Sequence, residues 1–206
     1  MQLLAGTTEH RGTRRQQILE ALARELEVNP GSRITTASLA KSVGVSEAAL
    51  YRHFSSKARM FDGLIEFTED TVFGLINKIL SDDYDAIKRC HKICNLLLTF
   101  SERNPGITRI LMGDALVGET SRLRSRVSKL FDRLETQFKQ ILREGQLHSE
   151  IAPDSQVQVV AELLVSVVVG RLNQYVRSEF MHKPTERWEE QWYMLSAGIN
   201  AVQHPL

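Results

Sequence analysis

The stretch from Arg33 to Phe61, RITTASLAKSVGVSEAALYRHFSSKARMF, gathers side chains that bind phosphates and read base edges. Thr35, Thr36 and Ser46 carry short hydroxyls, Tyr51 and His53 carry ring donors, and Arg52 and Lys57 carry cations. Donors and fixed positive charge at this density suit a polyanion: phosphate contacts position the protein and a few groups reach base edges.

Two short helices must hold these groups. Thr35 and Thr36 are N-cap residue types, and Leu39, Ala40 and Val43 space out one buried face of a first helix. Gly44 ends it, because glycine reaches the left-handed region without a steric penalty, and Gly44-Val45 makes a short corner. Ser46 then caps a second helix from Glu47 to about His53, with Leu50 inward. Its outward set is Ser46, Glu47, Ala48, Ala49, Tyr51, Arg52 and His53, small or hydrogen-bonding, and nothing bulky bars a major groove about 12 Å wide.

Helix, glycine turn, helix also occurs in all-α proteins that never touch DNA; the residues that follow decide. Tyr51-Arg52-His53-Phe54, two serines and Lys57 resemble the signature of the TetR family of bacterial transcriptional regulators. That resemblance implies an all-α fold with a three-helix helix-turn-helix headpiece and a helical body of about nine helices in all, the last two long helices forming a dimer. Thr35, Thr36, Ser46 to Ala49, Tyr51, Arg52, His53 and Lys57 are then the DNA-binding set, with Phe54 plugging the headpiece core.

Periodicity reads as helical throughout, without repeats or strands. Thr13 to Glu27 carries an Ile18, Leu19, Leu22, Ala23, Leu26 stripe and stops near Asn29-Pro30-Gly31. Residues 1–11 form an arm; Arg11, Arg14 and Arg15 suit phosphates or a minor groove, or simply solvent. The headpiece is assigned to 12–72, its reading motif to 35–54, and the body to 73–206. A connecting helix runs from Lys57 to about Leu80. A second follows from about Tyr84 to Glu102, and a short one from Gly106 to Met112 behind an Asn104 cap and Pro105. A coiled-coil-like segment, 119–145, stops at Gly145. Pro153-Asp154 opens a helix to about Phe180, and Thr185 opens the last. Val160, Leu164, Val168 and Leu172 with the final helix are the expected dimer seam.

The chain has 206 residues and is 42% hydrophobic, enough for a headpiece and a larger body with separate cores. Its net charge of +1 hides a division: residues 1–60 hold nine Lys/Arg against five Asp/Glu, and 61–206 hold seventeen against twenty. The basic excess sits with the reading motif. No signal peptide, membrane span or membrane partner is expected, because the most apolar run, Val157 to Val169, is short and broken by Gln158, Glu162 and Ser166. The location expected is the cytoplasm. Cys90 and Cys94 read as buried thiols on an apolar stripe. The six histidines, at 10, 53, 91, 148, 182 and 204, have no metal-ligand spacing, and no glycine-rich phosphate loop or nucleophile elbow appears. No metal, cofactor or catalytic site is assigned, and the chain is read as a non-enzyme.

Residues 34–67, 101–111 (SERNPGITRIL) and 175–185 (YVRSEFMHKPT) resemble, more narrowly, the nucleoid-occlusion branch of the TetR family. That resemblance implies palindromic chromosomal sites and a protein partner, the tubulin-like division GTPase FtsZ, whose ring assembly is blocked over unsegregated DNA. It places Phe67, Leu96, Arg103 and Asn104 on the partner surface, the last two presented at a helix junction. The chain departs from the branch pattern at Leu75, Thr99 and Asp114-Ala115-Leu116-Val117-Gly118. The competing reading is a ligand-gated TetR repressor whose body encloses an apolar pocket.

Overall fold

The computed structural model describes residues 13–29, 34–82 and 85–201, the side chains of the last two apart. The expected arm at 1–11, the turn at Pro30-Gly31 and the helix start at Tyr84 lie outside the described residues. Among those described there are nine α-helices and no strand: α1 (Arg14–Val28), α2 (Thr36–Val43), α3 (Glu47–His53), α4 (Lys57–Asp82), α5 (Ala86–Arg103), α6 (Pro105–Leu111), α7 (Ser121–Leu147), α8 (Val157–Arg177) and α9 (Trp188–Ala201). A single 3₁₀ turn, Asp114–Leu116, precedes α7.

Apolar spacing explains the assembly. Ile18, Leu22 and Leu26 form the buried stripe of α1, which packs on α2, α3, α4 and α6. α4 passes from this headpiece into the body; its Met60, Phe61, Leu64 and Ile65 are buried at one end and Val72 and Ile76 at the other. In the body α7 lies against α8, α5 and α4, with Leu130, Leu134, Phe138 and Ile141 inward.

Several helix ends differ from the sequence reading. Gly145 does not terminate α7, which continues to Leu147. It serves close packing, since a Cβ there would lie 2.6 Å from that of Ala86 and 3.0 Å from Ile151 Cδ1. α8 begins at Val157, after Pro153-Asp154, and stops at Arg177. Glu179 and Phe180 then take left-handed angles, φ 50° and 69°, which end the helix short of the expected Phe180. The last helix starts at Trp188 because Arg187 takes a left-handed angle, φ 55°, and the Thr185 hydroxyl bonds the Glu102 carboxylate.

The valine run of α8 is helical, as length predicts. By length and composition alone the 21-residue helix is apolar enough to cross a membrane, a test that the core helix of a folded domain also passes. It is apolar on two sides at once. Val160, Leu164, Val168 and Leu172 are 5%, 0%, 1% and 2% exposed, so they face the protomer's own core. This corrects the expected dimer seam: the outward apolar residues of this helix are Val159 and Leu163.

Candidate nucleic-acid interface and headpiece–body junction

The reading unit is built by its caps. Thr35 Oγ1 accepts from Ser38 N at 3.1 Å and starts α2; Gly44, at φ 72°, ends it with its N–H on the carbonyls of Ala40 and Lys41. Ser46 Oγ accepts from Ala49 N at 3.1 Å and starts α3. Leu50 is fully buried and Phe54 nearly so, which holds α3 across the end of α1. The faces left outside carry Thr35, Ser46, Glu47, Ala48, Tyr51, Arg52 and His53, all exposed, with Thr36 and Ala49 half-buried. Thr36 Oγ1 donates to Glu47 Oε2 at 2.7 Å, so these two side chains tie the starts of α2 and α3 together.

Arg14 and Arg15, expected as arm residues, belong to the first turn of α1. Arg14 shares a hollow with Arg52 and His53, and Arg15 shares an adjoining one with His53, Ser55 and Arg59. The Arg15 guanidinium lies 4.5 Å from the Phe54 ring centre, which fixes it beside α3. Arg14 and Arg15 of α1 therefore converge with Arg52 and His53 at the C-terminal end of the reading helix. Their separation of almost forty positions in sequence concealed this; the doublet of arginines at a helix start was the available signal.

Lys57 is placed at the first turn of α4, where Ser56 Oγ accepts from Arg59 N at 3.2 Å. Its ammonium is 2.8 Å from Glu119 Oε1, a body residue just ahead of α7, and 5.4 Å from the Phe61 ring centre. A few residues further along α4, the nearly buried Asp62 carboxylate receives three guanidiniums: Arg126 at 2.6 Å, Arg59 at 3.2 Å and Arg122 at 3.3 Å. Burial pushes the Asp62 carboxyl up, but the hydrogen bond and charge of Arg126, with Arg122 and Arg59, outweigh it and hold it below the usual carboxylate range. Arg126 also reaches Glu69 Oε2 at 2.6 Å.

The expected partner residues separate. Phe67 and Leu96 are half-buried against the core, on α4 and α5, which pack together. Arg103 is exposed at the last turn of α5. Asn104 is not presented outward: it is 7% exposed, and its Nδ2 donates to Phe100 O at 2.7 Å, closing the end of α5. It precedes Pro105 at the start of α6 without a side-chain cap there. The expected presentation of its amide is thus corrected, because the α5–α6 corner needs that donor for a buried carbonyl.

Sequence reasoning missed Glu102 and Arg109, which join distant segments. Glu102 takes the Thr185 hydroxyl and lies 3.5 Å from Lys183 Nζ, and its main-chain oxygen accepts from Tyr175 Oη at 3.1 Å. Burial first, then the nearby Glu102 and Glu27, push the Tyr175 phenol up to about 12, so it stays a donor. Segments 101–111 and 175–185 therefore meet. Arg109, 3% exposed, donates to Leu26 O at 2.7 Å and Asn29 O at 3.2 Å, and its Nε pairs with Asp114. Beside it, a Cβ on Gly106 would lie 2.0 Å from Ala23 O, so α6 presses directly on the backbone of α1.

Comparison with known proteins agrees with this layout. The family described as "Bacterial regulatory proteins, tetR family" matches residues 18–64, and "Tetracyclin repressor-like, C-terminal domain" matches 84–200. The chain is 59% identical over 180 residues to the nucleoid occlusion factor SlmA of Shewanella amazonensis, covering 87% of this chain and 91% of that one. Against the protein of the same name from Marinomonas sp. it is 53% identical over 186 residues, covering 90% and 94%. Among solved structures, the fatty acid degradation regulator FadR of Bacillus halodurans superposes with a TM-score of 0.75 at 14% identity, covering 96% of this chain and 100% of that one, a likeness of fold. A reading unit on α2–α3 and relatives this similar along nearly the whole chain lead to one conclusion: the chain belongs to the TetR family of bacterial regulatory proteins and, within it, to the SlmA nucleoid occlusion factors.

Proposed function

We propose that the protein acts as a homodimer on palindromic chromosomal DNA and, bound there, antagonises assembly of FtsZ over unsegregated nucleoid. What carries this reading is a similarity to nucleoid occlusion factors that extends through the reading unit and the body alike. α3 enters the major groove, with Ser46, Glu47, Ala48 and Ala49 toward base edges. Thr35, Thr36, Tyr51, Arg52, His53 and Lys57 serve the phosphates. This gives the protein a nucleoid-associated place in the cytoplasm.

Pairing uses the outward faces of α8 and α9. Val159 and Leu163 on α8 and Tyr193 and Met194 on α9 are exposed, the last two at 76% and 73%. Nothing lies within 4 Å of a Cβ built at Gly170 or Gly198, so a second backbone has room to approach. Apolar groups left open in this number on two adjacent helices mark an interface.

FtsZ is received on the α4–α5 side, by Phe67, Leu96 and Arg103. The experiment is selection of duplexes from a random library by the purified protein, followed by FtsZ sedimentation with and without the selected duplex. The expected result is a palindromic selected site and polymer loss only with both components present. Arg103→Ala should keep duplex affinity while losing FtsZ antagonism. Polymer yield unaffected by the protein–duplex complex would defeat the reading and favour the ligand-gated repressor.

A further inference from the structure

The segment between α6 and α7 holds the headpiece at two separate points. It runs from the left-handed Gly113 through the Asp114–Leu116 turn and the left-handed Gly118 to Glu119. At one end Asp114 pairs with Arg109 Nε, and the Nη1 of that same guanidinium donates to both carbonyls at the end of α1, Leu26 O and Asn29 O. In the middle Leu116 is fully buried as an anchor, whereas its neighbour Val117 is 79% exposed. At the other end Glu119 pairs with Lys57 at 2.8 Å, both side chains more than three-quarters buried. Only this last attachment uses a group that also faces DNA in the reading above.

A phosphate and the Glu119 carboxylate are rival anions for one ammonium. Lys57 sits in the first turn of α4, where helix-dipole charge favours an anion, so both rivals are drawn to the same place. A compact ammonium cannot hold a phosphate and keep an unweakened pair with Glu119. We propose that Glu119 is an internal competitor for the phosphate that Lys57 binds, so that DNA occupancy and docking of segment 113–120 on the headpiece weaken each other. The inference rests on the DNA-binding reading and adds a route from DNA to the body. Linkage makes it reciprocal: a partner that holds the segment away from Lys57 raises DNA affinity by the factor by which DNA raises affinity for that partner.

A double-mutant cycle separates this from plain repulsion. Glu119→Gln removes the rival charge and should tighten binding of the selected duplex by about three- to tenfold at low salt. In a Lys57→Ala background the same change should gain nothing, because there is no ammonium to release. A gain that persists without Lys57 means that Glu119 merely repels DNA, and no gain or a loss in the first variant means that the two anions do not compete; each outcome overturns the proposal. Hydrogen exchange on the unsubstituted protein is an independent check on folding artefacts. Amides of 114–120 should exchange faster when duplex is added, and unchanged or slowed exchange there would equally overturn it. Failure of the unsubstituted protein to bind any duplex would instead refute the underlying reading.

Discussion

Asp62 shows how one nearly buried carboxylate organises the headpiece–body junction. Three arginines from two helices converge on it, and the cost of burying its charge is offset by their hydrogen bonds, chiefly that of Arg126. Removing Arg126 leaves both Asp62 and Glu69 short of a partner, so Arg126→Gln should cost about 1.5–3 kcal/mol, the range for a hydrogen bond to a charged group. For a chain of this size that is a fall of about 3–12 °C in Tm. Because the Asp62 carboxyl titrates below its ordinary value, its stabilisation is complete above about pH 4 and is lost as pH falls through the folded value. The Tm gap between Arg126→Gln and the unsubstituted protein should therefore be widest near neutrality and shrink toward pH 3 in thermal melts. A gap that is constant with pH would mean that Arg126 stabilises by packing alone.

At the scale of the element, α8 and α7 each carry a test of which face does what. On α8 two adjacent leucines, about 100° apart around the helix, meet different surroundings: Leu164 is fully buried and Leu163 is 45% exposed. Leu164→Lys should abolish folding, since a charge would enter the protomer core. Leu163→Lys should leave the helical circular dichroism spectrum intact and yield a monomer on size-exclusion chromatography. A dimeric Leu163→Lys would move the interface off α8. On α7, Gly145→Ala would force a methyl against Ala86 and Ile151, an overpacking cost of about 1–3 kcal/mol. Denaturant titration should show that loss, although alanine is the better helix former; a neutral or stabilised variant would mean that the α5–α7 contact relaxes freely.

For the whole molecule, the α1–α6 contact makes headpiece and body one mechanical unit. Gly106 against Ala23 and Arg109 on the α1 carbonyls lie along this seam. A dimer built from such units presents its two reading helices at a set separation, about 34–36 Å for successive major grooves on one face. Inserting about five base pairs, half a helical turn, at the centre of the selected palindrome turns one half-site to the far side of the duplex. Binding should then fall to the non-specific level in an electrophoretic mobility assay. Affinity retained across the insertion would mean that the headpieces swivel, contrary to a stiff seam.

The reading unit was legible in sequence because its determinants are local. Thr35, Gly44, Ser46 and Leu50 act within one or two turns of themselves, so caps, corner and inward face follow from residue type and spacing alone. The helical body was legible too, from three- and four-residue apolar spacing. What spacing cannot give is which of two apolar faces meets the chain's own core. Val160 to Leu172 and Val159-Leu163 are equally apolar, and only packing against α7 and α5 assigns the first set inward. Nor can local sequence say where a hydrogen-bonding group finds its partner. The Asn104 amide is claimed by the end of α5, Gly145 by Ala86, and Lys57 by an acid sixty-two positions away. Those assignments depend on which helices pack together, and packing is a property of the whole chain.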